Sequence, residues 1–315
     1  MSGTRSADVT RLGFDVGGTK ILGVATDDGG APLRTVREPT PAGAGSLVDT
    51  LAALVRELAP VQGAVSVGVG MAGLITTAGV VTTSPNLDGV NGATIGADLS
   101  AVLGMPVAFE NEVNCAARWE LSSGAAQGIR HGVMVAVGTG IGGAFMVDGE
   151  VLRGANGLAG EPGHMIVEAS GRLCPCGRRG CWEMYASGSA LNRLAAERLG
   201  EGMRGPDVTA AARNGDAGAH EVLAEYSHWL ALGISSLCVL TDPELVVISG
   251  GISEDWDLLA QPVSERLGEL LIGRTAETRP AVVASEAGEL SSALGAALSG
   301  AQGDGAALSD PSRMT

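Results

Sequence analysis

Residues 132–148 read GVMVAVGTGIGGAFMVD, and residues 11–30 read RLGFDVGGTKILGVATDDGG. Each stretch is an apolar run, a Gly-rich turn carrying Thr, a second apolar run and a turn built on Asp and Gly. That order is the pattern of a β-hairpin. Two such hairpins about 120 residues apart predict a duplicated domain core.

Outward from these hairpins the chain alternates strands and helices. Ser46 opens an amphipathic helix with Leu47, Leu51, Leu54, Val55 and Leu58 on one face. Residues 64–70 and 106–109 read as strands, the second running into Glu110-Asn111-Glu112, where a helix Val113–Ser122 begins. After an irregular stretch at 150–186, helices are expected at 188–199, 207–213, 217–240, 257–271 and 289–299. Strands are expected at 245–249, ending in Gly250-Gly251, and at 281–284. The class is α/β. Residues 1–115 would form a small α/β domain, with the C-terminal helix, about 288–300, packing back on it. Residues 116–287 would form a larger α/β domain, and 302–315, small and polar, a disordered tail.

Composition bounds the function. A chain of 315 residues fits two domains of roughly 150 residues. Aromatics are only 3%, so the core is built from Val, Leu, Ile, Ala and Met. A net charge of −15 argues against nucleic acid or an anionic membrane as partner. A polyanion could still bind through loop N–H groups, helix N-termini or a metal ion. Residues 1–10 carry no apolar signal segment, and no run of 18 apolar residues occurs. The expected compartment is the cytoplasm.

Three groups of residues carry chemistry. Asp15-Val16-Gly17-Gly18-Thr19-Lys20 is a tight turn whose glycines let backbone N–H groups approach phosphate oxygens. Asp15 could hold Mg²⁺ through water, Thr19 could bond a phosphate, and Lys20, the only lysine in the chain, adds charge. The spacing is not that of a Walker A loop. Gly138, Thr139, Gly140 and Gly142 form the matching turn of the second hairpin, so two phosphate loops are expected. His164, Cys174, Cys176 and Cys181 match a structural tetrahedral zinc site with no open position. Cys115 and Cys238 fall within helices and read as core residues. Asn111, Glu112, Glu161 and Glu183 cluster around these motifs and suit a polyol, with a carboxylate to accept a hydroxyl proton.

The stretch LAGEPGHMIVEASGRLCPCGRRGCWEMYASG, residues 158–188, carries a Glu-x-Gly-His and a Cys-x-Cys-Gly-x₂-Gly-Cys pattern. With the two phosphate motifs and Val246–Gly251, it resembles the ROK family of sugar kinases and repressors, within the actin/hexokinase-like ATPases. The resemblance runs over about residues 11–300. It implies a two-domain, ribonuclease H-like fold with an interdomain cleft that closes on the sugar. It also implies an ATP-dependent kinase acting on glucose or a glucose-like hexose, at the 6-OH. Asn86, Asn111, Glu112, Glu161, His164 and Glu183 would hold the sugar, His164 using its other ring nitrogen for zinc. Glu112 would be the catalytic base. ATP would lie on the two loops and Gly250-Gly251, with Mg²⁺ near Asp15. Relatives are often homodimers or homotetramers.

Two departures border the sugar pocket. Glu112 stands where the family usually has Asp, so the carboxylate reaches one methylene further. Val90-Asn91 stand where many glucose-specific relatives have Trp. They open a second reading, a kinase for an amino-hexose such as 3-amino-3-deoxyglucose (kanosamine) or for a C7-cyclitol. A sugar-binding protein without catalysis is a third. The family's repressors carry a helix-turn-helix before the first phosphate motif, whereas only about ten residues precede it here. A polyphosphate donor would favour a basic groove, and Arg178-Arg179 is the one adjacent basic pair, so ATP is preferred.

Overall fold

The structure, a computed structural model, describes residues 10–59 and 65–302. The expected tail lies outside them, apart from Gln302. The elements run β1 (Thr10–Val16), β2 (Lys20–Thr26), β3 (Pro32–Pro39), α1 (Ala44–Leu58), β4 (Val65–Met71), β5 (Leu74–Ile75), β6 (Val81–Thr83), α2 (Ile95–Leu103), β7 (Val107–Asn111) and α3 (Glu112–Ser123). They continue with β8 (Gly132–Val137), β9 (Ile141–Val147), β10 (Glu150–Val151), α4 (Glu183–Ala186), α5 (Gly188–Leu199), α6 (Gly205–Arg213), α7 (Ala217–Thr241), β11 (Leu245–Ser249), α8 (Trp256–Leu270), β12 (Ala281–Ala284) and α9 (Ser291–Gln302).

Among the described residues there are two five-stranded sheets, ordered β3-β2-β1-β4-β7 and β10-β9-β8-β11-β12. They correspond strand for strand. In each, an antiparallel hairpin is extended by two parallel strands. This is the duplication expected from the two Gly-rich hairpins. It was legible because both hairpins are buried and uninterrupted. The polar strand β3 and the helix α2 escaped the sequence reading. β3 is largely exposed, so no alternation marks it.

The chain packs as two compact units. Of the described residues, one comprises those up to Ser122, the segment Arg153–Ala159 and those from Glu289 to Gln302. The other comprises Ser123–Leu152 and Gly160–Gly288. The second unit is built around α7, whose Tyr226, Leu230 and Ile234 are buried among α5, α6 and α8. By length and composition alone α7 could cross a membrane, with a mean hydropathy of 1.2. Its buried face is instead the centre of this core.

In the first unit, side-chain alternation along each strand separates two faces. Leu12, Phe14 and Val16 of β1, with Val67, Val69 and Met71 of β4, pack against Leu47 and Leu51 of α1 and Ile95 and Leu99 of α2. The opposite face carries Gly13 and Asp15, then Gly68 and Gly70, then Ala108 and Glu110. Helix α9 lies on that face at backbone distance. A Cβ on Gly68 would overlap the Ala296 carbonyl oxygen, and one on Gly13 the Ala293 carbonyl oxygen. Small residues are therefore a steric requirement.

Gly68→Ala forces α9 away from the sheet and should cost about 1–3 kcal/mol of stability. Gly45→Ala, in α1 where a Cβ meets open space, should instead gain about 0.5–1 kcal/mol. Urea unfolding of the two variants would show opposite shifts in midpoint.

Candidate functional site

Functional side chains gather where parallel strands end. In the first unit, Asp15 pairs in register with Gly70, and Gly70 with Glu110. One step further on, Met71 pairs with Asn111, and Glu112 begins α3. Asp15, Asn111 and Glu112 thus sit at one edge of the sheet because β1, β4 and β7 are parallel and in phase. Gly18 of the first turn rests on the backbone of Asn86, which brings Asn86 to the same edge. The Gly17–Lys20 turn closes through the Gly17 N–H, which donates to the Lys20 carbonyl at 3.0 Å. Lys20 Nζ is 2.8 Å from Glu289.

The Asp15 carboxyl is half-buried and accepts a hydrogen bond from Ser292 Oγ at 3.0 Å. Removal from water pushes its pKa up from 3.8 to about 6, against the pull of Ser292 and Lys20. Ser292 lies on α9, far away in sequence, and no local motif announced it.

At Asn111, the side chain caps α3. Its Oδ1 accepts from the Val113 and Asn114 N–H groups at 2.8 and 3.1 Å. Its Nδ2 donates to the Gly73 carbonyl at 3.0 Å and to Glu112 Oε2 at 2.7 Å. Glu110, 5% exposed, accepts from the Asn111 N–H at 2.9 Å and from Asn114 Nδ2 at 3.2 Å, and faces Arg153. Sequence reasoning passed over both Glu110 and Arg153.

In the second unit, Gly138 follows β8 and Gly250-Gly251 follow β11, and these strands are parallel neighbours. Gly250 has φ 81°, and a Cβ there would press on the Val137 backbone, so only glycine turns the chain away at this point. The N-terminus of α5 meets the same turn, with the Gly188 N–H donating to the Gly138 carbonyl at 2.8 Å. Together Gly138, Thr139, Ser189, Gly205 and Gly251 help line a cavity of about 860 Å³. That volume is in the range of small-molecule sites, and a helix N-terminus beside it favours an anion.

On the other side of the β8–β9 turn, Gly140 abuts the Glu183 carboxylate. The Gly143 N–H donates to the Gly160 carbonyl at 3.0 Å, which anchors Glu161 and the short turn Pro162–His164 on β9. Burial and the charge of Glu183 push the Glu161 carboxyl up to about 7. Glu183 Oε1 lies 3.6 Å from His164 Nδ1 and accepts from Cys174 Sγ at 3.0 Å.

The donor atoms of His164, Cys174, Cys176 and Cys181 all lie within 4.8 Å of one another. Cys176 and Cys181 Sγ are 3.5 Å apart, and Cys174 Sγ is 3.9 Å from His164 Nδ1. A tetrahedral zinc with bonds of about 2.3 Å to sulfur needs ligand atoms about 3.7 Å apart. Three soft sulfurs and one imidazole at these spacings fit zinc. Burial raises the Cys176 thiol, but hydrogen bonds with the Arg178 N–H and guanidinium and with Cys174 and Cys181 outweigh it and bring the thiol down to about 7, which favours the thiolate a metal needs.

A family model described as the ROK family matches residues 11–301. A glucokinase of Streptomyces coelicolor is 33% identical over 304 residues, covering 91% of this chain and 96% of that protein. An N-acetyl-D-glucosamine kinase of Vibrio parahaemolyticus is 32% identical, covering 90% and 97%. The crystal structure of a ROK family glucokinase from Streptomyces griseus, in complex with glucose and AMPPNP, superposes with a TM-score of 0.82 at 33% identity. It covers 93% of this chain and 99% of that one. The two-domain actin-like ATPase fold follows from this likeness.

Two measurements check the site. Metal analysis of the purified protein should find about one zinc per chain, and Cys181→Ser should lose it together with several degrees of Tm. A metal-free protein of unchanged Tm would remove the Cys₃His assignment. The second concerns Asp15 without divalent cations. Between pH 4 and 6 the folded chain holds a proton on Asp15 that the unfolded chain has released, so stability falls as pH rises through that window. Asp15→Asn lacks this term. Its Tm should therefore gain on the parent's from pH 4 to pH 7.

Proposed function

Given that this chain belongs to the ROK family, we propose that it is an ATP-dependent sugar kinase, passing the γ-phosphoryl group of ATP to a hydroxyl of a glucose-like hexose. The observation that carries the reading is the placement of both Gly-rich turns beside sugar-competent groups. Gly18 lies against Asn86 in one unit, and Gly140 against Glu183 in the other. The relatives named glucokinase and N-acetyl-D-glucosamine kinase support the sugar as acceptor, and the glucose and AMPPNP complex supports ATP as donor.

In this reading Asn86, Asn111, Glu161, His164 and Glu183 hold the sugar hydroxyls. Glu112 accepts the proton of the attacking hydroxyl while its oxygen bonds to the γ-phosphorus and ADP leaves. Asn111 Nδ2, at 2.7 Å from Glu112 Oε2, orients that carboxylate. The backbone of Gly17, Gly18 and Thr19, with Lys20, and of Gly138, Thr139, Gly140 and Gly142 cradles the phosphates. The cavity flanked by Gly250-Gly251 takes the nucleoside. Asp15 is where Mg²⁺ would be held, its charge neutralising phosphate oxygens. Zinc would stiffen the loop that bears His164.

The acceptor position is the 6-OH, and glucose is the first candidate. A second reading is favoured by Glu112 and by Asn91. Asn91 Oδ1 accepts the Ser84 N–H at 2.9 Å, in the region where Trp stands in many glucose-specific relatives. An amino-hexose such as 3-amino-3-deoxyglucose, or a C7-cyclitol, would exploit a longer carboxylate and a smaller neighbour.

Coupled assay of ADP release against glucose, mannose, N-acetylglucosamine, 3-amino-3-deoxyglucose and C7-cyclitols should give turnover with at least one acceptor. No turnover across the panel would leave a binding protein. Glu112→Gln should lower kcat by about 10²- to 10⁴-fold with KM nearly unchanged. A mild effect would assign the base elsewhere.

A further inference from the structure

Arg153 and Glu110 have no part in the chemistry described above, yet they meet directly beneath it. We propose that they form a positioning pair that sets Glu112. The inference rests on the reading of Glu112 as the base.

Glu110 is a carboxylate with almost no contact with water, 5% exposed, on the sheet face that α9 covers. Both of its oxygens are engaged. Oε1 accepts the Asn111 N–H at 2.9 Å and Asn114 Nδ2 at 3.2 Å. Oε2 lies 2.7 Å from Arg153 Nε. The Nε–H does not point along that contact, so charge rather than a linear hydrogen bond holds the pair. Arg153 is the cation that faces the buried Glu110 carboxylate from the 153–159 segment.

From Glu110 the order passes up the chain by single contacts. Glu110 holds the Asn111 backbone and the Asn114 amide. Asn111 caps α3 and donates to Glu112 Oε2 at 2.7 Å. Without the guanidinium, the Glu110 carboxylate loses the contact on its Oε2 side and is free to turn away from Asn111 and Asn114, which loosens the strand-to-helix junction that aims Glu112.

Arg153 is itself held by a closed excursion of the chain. The Ala159 N–H donates to the Arg153 carbonyl at 3.2 Å, and the Asn156 carbonyl accepts from the Thr77 N–H, after β5, at 3.0 Å. The segment Arg153–Ala159 belongs to the first unit although its neighbours in sequence on both sides belong to the second. The pair joins a half-buried guanidinium to a buried carboxylate that accepts from both the Asn111 N–H and the Asn114 amide, and so ties the 153–159 segment to the junction.

The test uses the full chain and the most active acceptor of the panel above. Arg153→Met should lower kcat by about 10- to 100-fold, the range for groups that orient a functional residue, with KM for ATP within about twofold. Arg153→Lys, which keeps the charge, should recover most of the loss. The double variant Glu110→Gln/Arg153→Met leaves no unpaired charge and should be no worse than Arg153→Met alone. Amide exchange should quicken at Asn111 and Val113 in Arg153→Met, a readout independent of the acceptor. If Arg153→Met does not fold, Arg153→Lys and the double variant carry the comparison. The pair is overturned by kcat within twofold of the parent in Arg153→Met, by a double variant markedly worse than Arg153→Met alone, or by unchanged exchange. If Glu112→Gln is itself mild, the base reading fails, and the exchange result still decides whether the pair orders the junction.

Discussion

A helix and a sheet that touch backbone to backbone govern the first unit. Helix α9 can approach β1 and β4 only because Gly13, Gly68 and Gly70 present no side chains to it. Along this same face, the positions beyond the glycines and Ala108 are Asp15 and Glu110, so a track of small residues ends in two carboxylates, Asp15 half-buried and Glu110 buried. Each charge needs a partner, and each has one from a distant part of the chain. Ser292 comes from α9, and Arg153 from the excursion. The steric condition and the electrostatic one are therefore met together at this edge.

The two sheets share one plan and use it for different ends. At the ends of β1, β4 and β7 the first unit offers carboxylates and an amide. At the ends of β8 and β11 the second offers glycine backbone beside a cavity that Arg204, Asp207, Glu254 and Asp255 also line, with the N-terminus of α5 alongside. The first arrangement suits proton transfer and cation holding, the second the recognition of phosphate and nucleoside. The Cys/His cluster adds a third element. It contacts Glu183 through Cys174, so the cluster directly adjoins a proposed sugar ligand.

The sequence was most informative where function and local pattern coincide. The two hairpins, the Cys/His spacing and the family resemblance were all carried by contiguous residues with few alternative meanings. The junction that carries Asn111 and Glu112 was legible as the end of β7 and the start of α3. Ser292, Glu110 and Arg153 were not. Their roles depend on which strands are parallel and on where α9 and the 153–159 segment dock, and no window of the chain contains both partners. The edge strand β3 was missed for a different reason. An exposed strand gains little from alternation, so its sequence, PLRTVREP, carries no hydrophobic signature.

The docking of α9 also sets an order of assembly. Strand β4 and the helix that covers it are more than 200 residues apart in the chain. At about 5–20 residues per second, a ribosome needs on the order of ten to fifty seconds to make that stretch. Throughout that interval the glycine-lined face and the Asp15 and Glu110 carboxylates lie open to water. The unit synthesised first is the one completed last, while the intervening unit, except for its link to Glu289, can already be folded. A chain interrupted before α9 would keep both Gly-rich turns and still lack the surface that gives Asp15 its environment.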